Sequence, residues 1–150
     1  MSKWDNFTTG ELNAYSRAAF RRVFLWSGWV VREGGRGTFE VAMGSNTWHI
    51  VIRSNRYWTY PFVPKESVQT YPHWAMGLAH YLAEQDEPDL FLIPHWAWPE
   101  GSYACLVGPD YVGKASKPEW GVKLSKRRYS LMDPFRWTDK TFPWMESTPP

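Results

Sequence analysis

Apolar residues recur at Leu12, Tyr15, Ala19, Phe20, Val23 and Phe24, with Arg17, Arg21 and Arg22 set apart from them. Spacings of three and four are those of one face of a helix, so this period predicts an amphipathic helix over residues 10–28. Its start is written in Thr8-Thr9-Gly10-Glu11, where Thr8 is placed to cap and Glu11 to reach back to the backbone of the cap. Ser27-Gly28 marks its exit.

The period then shortens from helical to two. Residues 29–32 read as a strand, a glycine-rich turn follows at 34–37, and residues 38–43 alternate, with Phe39, Val41 and Met43 opposed to Thr38, Glu40 and Ala42. Gly44-Ser45-Asn46 reads as a hairpin turn into residues 47–54. There Trp48, Ile50 and Ile52 share one face, and His49, Val51 and Arg53 the other. Beyond Pro61 and Pro64, the positions of Trp74, Leu78, Tyr81 and Leu82, with Pro72 near the start, predict a second helix over 71–85 that ends in acidic residues. Short apolar runs at 90–93 and 103–107 read as two more strands, joined by a Trp-rich connection. Residues beyond 108 read mostly as loop, with a candidate strand at 121–124. The expected class is α/β of the α+β kind: an N-terminal helix, a mixed sheet of about five strands and a second helix.

Composition narrows the setting. A chain of 150 residues suits one domain, expected over 1–146, with a frayed tail at 147–150. No uncharged apolar run approaches the roughly 18 residues of a membrane span, no apolar signal core opens the chain, and the single Cys105 has no partner for a disulfide. A soluble, cytoplasmic protein with no membrane partner is expected. Net charge is only +2, but it is uneven: 8 Lys or Arg against 4 Asp or Glu in residues 1–60, 1 against 6 in 61–100, and 8 against 5 in 101–150. Two basic segments therefore flank an acidic one. Aromatic residues make up 18% of the chain, 11 of them Trp, more than a core of this size needs. Some are expected at the surface, where exposed aromatics mark contacts.

A helix followed by a three-stranded meander resembles the PD-(D/E)XK nuclease superfamily, in particular its small intron-associated and stand-alone members. The likeness reaches individual residues. Thr9-Gly10-Glu11-Leu12 matches the start of that family's first helix, Ser27-Gly28-Trp29-Val30-Val31 matches its exit, and Phe39-Glu40-Val41 stands where an aromatic-Asp-aliphatic element falls. The (Glu/Gln)-x-Lys element aligns with residues 49–54, placing Val51 at the acidic position and Arg53 at the lysine. The resemblance implies a restriction-endonuclease-like core with a degenerate site in which Glu11, Glu40 and Arg53 are vestiges of the catalytic set. In such a site the acids hold a hard divalent cation that activates water. Valine offers a metal nothing, and arginine keeps the positive charge but does not deprotonate.

Each of these residues also has a plainer reading. Glu11 serves fully as a capping residue. Glu40 either faces solvent or points into a site, and on the predicted faces it pairs with Arg53. The histidines His49, His73, His80 and His95 lack ligand spacing, so no metal site is expected and no cofactor, with Mg²⁺ only if activity survives. Arg53, Arg56, Lys123, Lys126, Arg127 and Arg128 are candidate nucleic-acid contacts, the last three next to Tyr129. Trp96 and Trp98 are either a packed turn or exposed interaction anchors. The leading expectation is a pseudoenzyme that binds nucleic acid, or a nucleic-acid-processing protein, without cutting; homodimerisation stays open. The alternatives are an active metal-dependent endonuclease with a migrated site and a phage–host or defence-related inhibitor that uses a Trp-rich surface.

Overall fold

The computed structural model describes residues 2–108, 118–138 and 141–145. After a 3₁₀ turn at Lys3–Asn6 comes α1 (Thr9–Trp26), then β1 (Val30–Glu33), β2 (Thr38–Met43) and β3 (Asn46–Asn55). β4 (Phe62–Pro64) and the single turn α2 (Lys65–Val68) lead to β5 (Trp74–His80), β6 (Asp89–Pro94), α3 (Ala97–Glu100) and β7 (Glu119–Gly121). Two 3₁₀-helices, Lys126–Phe135 and Pro143–Met145, follow. The main sheet is mixed and five-stranded, in the order β1-β2-β3-β5-β6; β3 and β5 run parallel and the other pairs are antiparallel. The class is α+β, as expected.

Helix α1 starts as its sequence dictates. Thr8 Oγ1 accepts the Glu11 N–H at 3.1 Å, and Glu11 Oε1 accepts the Thr8 N–H at 2.8 Å. The buried face is Leu12, Ser16, Ala19, Phe20 and Phe24. It lies on the face of the sheet that carries Phe39, Val41, Ile50 and Ile52, where Phe24 meets Phe39 edge to face at 6.2 Å. A glycine permits this close approach. A Cβ on Gly77, the register partner of Ile52, would stand 2.9 Å from Ile52 Cδ1 and 3.3 Å from the Phe20 ring. The helix is also tied to the sheet edge, because Arg17 and Arg21 both bond Glu33, the latter at 3.0 Å.

The opposite face of the sheet is covered by the two-stranded β4–β7 sheet and by aromatic residues. Trp74, Trp98 and Trp120 form a cluster with ring centroids 5.4–6.3 Å apart, and Trp98 Nε1 donates to the Gly121 carbonyl at 3.0 Å.

Three expectations are corrected. Residues 71–85 do not form a helix: Trp74–His80 is a strand, all seven of its residues buried. A strand covered on both faces is apolar at every position, and an unbroken apolar run mimics a helical period as readily as an alternating one. The helical turns α2 and α3 lie on either side of residues 71–85, outside that range. Residues 103–107 form a turn whose only ladder contact among the described residues is an isolated bridge from Leu106 to Val122, and the candidate strand at 121–124 lies mostly before that range, at Glu119–Gly121. The tail expected at 147–150 falls outside the described residues.

Phe20 is fully buried against Gly77, so Phe20→Ala is expected to cost about 3–5 kcal/mol in denaturant unfolding. Leu25→Ala, on the exposed side of the same helix, should stay within about 0.5 kcal/mol.

Candidate nucleic-acid interface

Strand β3 is longer than the strand beside it. β2 begins at Thr38, opposite Val51, while β3 runs on through Ile52, Arg53 and Ser54 to Asn55. In the parallel ladder with β5, alternate residues of β3 turn their backbone groups toward β5 and the rest away from it. Ile52 belongs to the second set, its N–H bonded to the Gly37 carbonyl at 2.8 Å. Ser54 belongs to it as well, with no β2 residue opposite, so its amide faces an open notch.

That notch is a depression of about 560 Å³ between α1 and the turn before β2, walled by Asn13, Arg17, Arg36, Arg53 and Ser54. It shares Asn13 and Ser54 with a second depression of about 210 Å³. The second shares Arg56 and Tyr57 with a third of about 510 Å³, walled also by Trp58, His80, Lys126, Asp5 and Glu84. The three adjoin through these shared residues, together called the trough, past the carboxyl ends of β3 and β5, where parallel strands in an open sheet leave a crevice. Five cationic side chains line it, and Tyr57 and Trp58 are 57% and 37% exposed.

The residues expected from the sequence divide across this map. Glu11 lies outside the trough, occupied as a cap; its bond from the Thr8 backbone holds its carboxyl below the usual range. Glu40 does not pair with Arg53. Its Oε1 accepts from His49 Nδ1 at 2.6 Å, directly across the hairpin. Arg53 is four residues further along β3, roughly 13 Å away at 3.3 Å per residue, beyond the end of β2. Instead Arg53 Nε donates to the Phe62 carbonyl at 2.9 Å and Nη1 to the Ile52 carbonyl at 3.1 Å, while the residue walls the notch. Glu11, Glu40 and Arg53 are thus not brought together. Among the described residues, no group of three His, Cys, Asp or Glu side chains is arranged to hold a metal ion.

Arg56 lines the trough but is also structural, its Nη1 donating to the Trp4 and Phe7 carbonyls at 2.7 and 2.6 Å. Lys123, Lys126, Arg127 and Arg128 are exposed, and Lys126 reaches the trough. The tryptophan pair is not an exposed anchor: Trp98 is buried in the Trp74 cluster, and Trp96 is half-buried, edge-on to Trp144 at 5.8 Å. Sequence reasoning missed Asn13, Arg17, Arg36, Tyr57, Trp58 and His80. A signal existed in Arg56-Tyr57-Trp58, a cation followed by two aromatics between a strand and a proline.

Two buried polar groups close the floor. Ser16 Oγ lies 2.6 Å from both Ser54 Oγ and the Tyr81 hydroxyl, and burial pushes Tyr81 up to about 12. On the other face Asn55 Nδ2 meets His80 Nδ1 at 3.1 Å. Burial, opposed by the neighbouring Asp89, lowers His80 to about 4, so its imidazole is neutral near pH 7. Tyr129, bonded to Asp89, is pushed up by burial, and Arg136 lies 3.5 Å from Asp89.

No family model, curated protein or solved structure matches this chain.

His80 is neutral in the fold but takes up a proton near pH 6.5 when unfolded, so the unfolded state binds more protons between those limits. Stability should therefore be full above pH 6.5 and fall as pH drops toward 4, by at most about 3 kcal/mol from this residue. Thermal melts across that range, compared with His80→Gln, test it; equal slopes in the two proteins would refute it. The comparison isolates His80 from His95, which burial also lowers.

Proposed function

We propose that this protein binds a nucleic-acid strand along the trough and does not cut it. The observation that carries the reading is adjacency: Arg17, Arg36, Arg53, Arg56 and Lys126 line three adjoining depressions that also present Tyr57 and Trp58. Cations spaced along a groove meet successive phosphates, and exposed rings stack bases regardless of sequence. Arg53 keeps at least one nitrogen uncommitted, and the Ser54 amide adds a backbone donor of the kind that holds phosphate oxygens. The trough is too narrow in charge for broad duplex attraction, since Asp5 and Glu84 stand at its far end. A single strand suits it better than a duplex.

The absence of cutting rests on chemistry. Val51 stands where the resembled family carries an acid, and Glu40 is turned to His49. The PD-(D/E)XK likeness thus supports ancestry and a binding face, with the lysine's work given up by an arginine. The alternative of a protein-contact surface draws on a different region, where Leu25, Trp26 and Val30 are 50%, 64% and 63% exposed near the end of α1. Salt separates the two, since phosphate binding weakens steeply with ionic strength and an apolar contact does not.

The test incubates the protein with plasmid, linear duplex and single-stranded DNA plus Mg²⁺, read for both gel shift and cleavage. Shift of the single strand without cleavage is expected. Arg36→Glu combined with Arg53→Glu should weaken binding by roughly tenfold or more and flatten its salt dependence. Cleavage that Glu40→Ala abolishes would overturn the reading in favour of a nuclease.

A further inference from the structure

His80 is 1% exposed and forms part of the wall of the third depression, yet among the described residues its Nε2 has no hydrogen-bond partner. Its tautomer follows from its neighbours. The Tyr57 carbonyl can only accept, which identifies the Asn55 atom against it as Nδ2 and leaves Oδ1 to accept from the Thr59 hydroxyl. Asn55 Nδ2 then donates to the Tyr57 carbonyl and to His80 Nδ1, one hydrogen for each. Nδ1 accepts, so the proton of the neutral ring sits on Nε2. The molecule buries an N–H donor with nothing to receive it, which costs stability unless something else uses it.

Beside that imidazole stands a partly exposed aromatic ring. Trp58 packs against His80 at 4.8 Å between ring centroids and against Tyr129 at 5.2 Å, and it is partly exposed at the mouth of the depression. It stands on a tight turn closed by the Thr59 N–H to the Tyr57 carbonyl at 2.8 Å, and Asn55 clamps both ends of that turn. Arg56 and Lys126, on the same wall, are placed for the phosphate that follows.

We propose that the depression at Trp58 is a base-binding pocket: Trp58 swings to stack one unpaired nucleobase, and His80 Nε2–H donates to an acceptor on its edge. This rests on the reading of the trough as a path for a strand. It adds a specific requirement, a base with a carbonyl oxygen or ring nitrogen acceptor, which the phosphate path alone does not impose. Asn55 acts as a positioning residue, holding the turn and the tautomer.

The test compares a short single strand with an abasic strand of equal length and charge. The base-bearing strand is expected to bind roughly tenfold tighter, and Trp58→Leu to erase that difference. His80→Phe, which keeps the ring and removes the donor, should lose about three- to tenfold on the base-bearing strand only. Should His80→Phe fail to fold, ¹H–¹⁵N spectra of the wild-type imidazole take its place: the Nε2–H signal should shift with the base-bearing strand and not with the abasic one. Equal binding of the two strands, or a difference that survives Trp58→Leu, overturns the pocket and leaves the trough intact. A nucleoside monophosphate binding as tightly as the strand also overturns it, by making the ligand a free nucleotide. No binding of either strand removes both readings.

Discussion

Pairing of β3 with β5, parallel and buried on both faces, is the constraint on which the rest of the molecule depends. It places Ile52 beside Gly77, and the missing side chain of Gly77 lets Phe20 settle between them. With a larger residue there, α1 would stand off the sheet and the Phe20, Phe24 and Phe39 contacts would open. The same pairing aligns the carboxyl ends of two strands, which concentrates Ser54, Asn55, His80 and Tyr81 at one edge of the sheet.

That end carries Ser16, Asn55 and His80 of the buried polar residues, while His49 and Glu119 are buried elsewhere. Ser16, Ser54 and Tyr81 satisfy one another on the helix side, while Asn55 and His80 face each other on the opposite side. Buried polar groups are tolerated where they are paired; among the described residues His80 Nε2 and Arg56 Nε at this end are buried without a hydrogen-bond partner. The overhang of β3 past β2 follows from the short turn at Gly35 and Gly37, so the notch and the polar floor have a common origin in strand length.

Glu40 and Arg53 show how a shared strand face can suggest a pair that the register does not make. Glu40 and Arg53 share a face by alternation, and the sequence reading paired them on that ground. Position along the strand separates them, because the hairpin register sets His49 opposite Glu40. Arg53 lies beyond the end of β2, and its guanidinium instead fixes β4 to β3 through the Phe62 carbonyl. The tryptophans behave alike: Trp98, conspicuous in the sequence, is core, while Trp58 lies at the trough because the turn after Asn55 carries it there.

Local signals were therefore legible where local physics decides the outcome. The Thr8–Glu11 cap, the period of α1, the alternation of β2 and β3 and the hairpin at Gly44 all follow from interactions within a few residues. The strand at Trp74–His80 was not legible, because what makes it a strand is burial between two layers that sequence neighbours do not supply. The trough was legible only in fragments. Arg17, Arg36, Arg53 and Lys126 are far apart in the chain, and their convergence is decided by one parallel pairing and by where β2 stops. Residue type and local conformation were determined by the sequence itself, whereas which cations and rings face one another was decided by long-range packing, whose energy no short window contains.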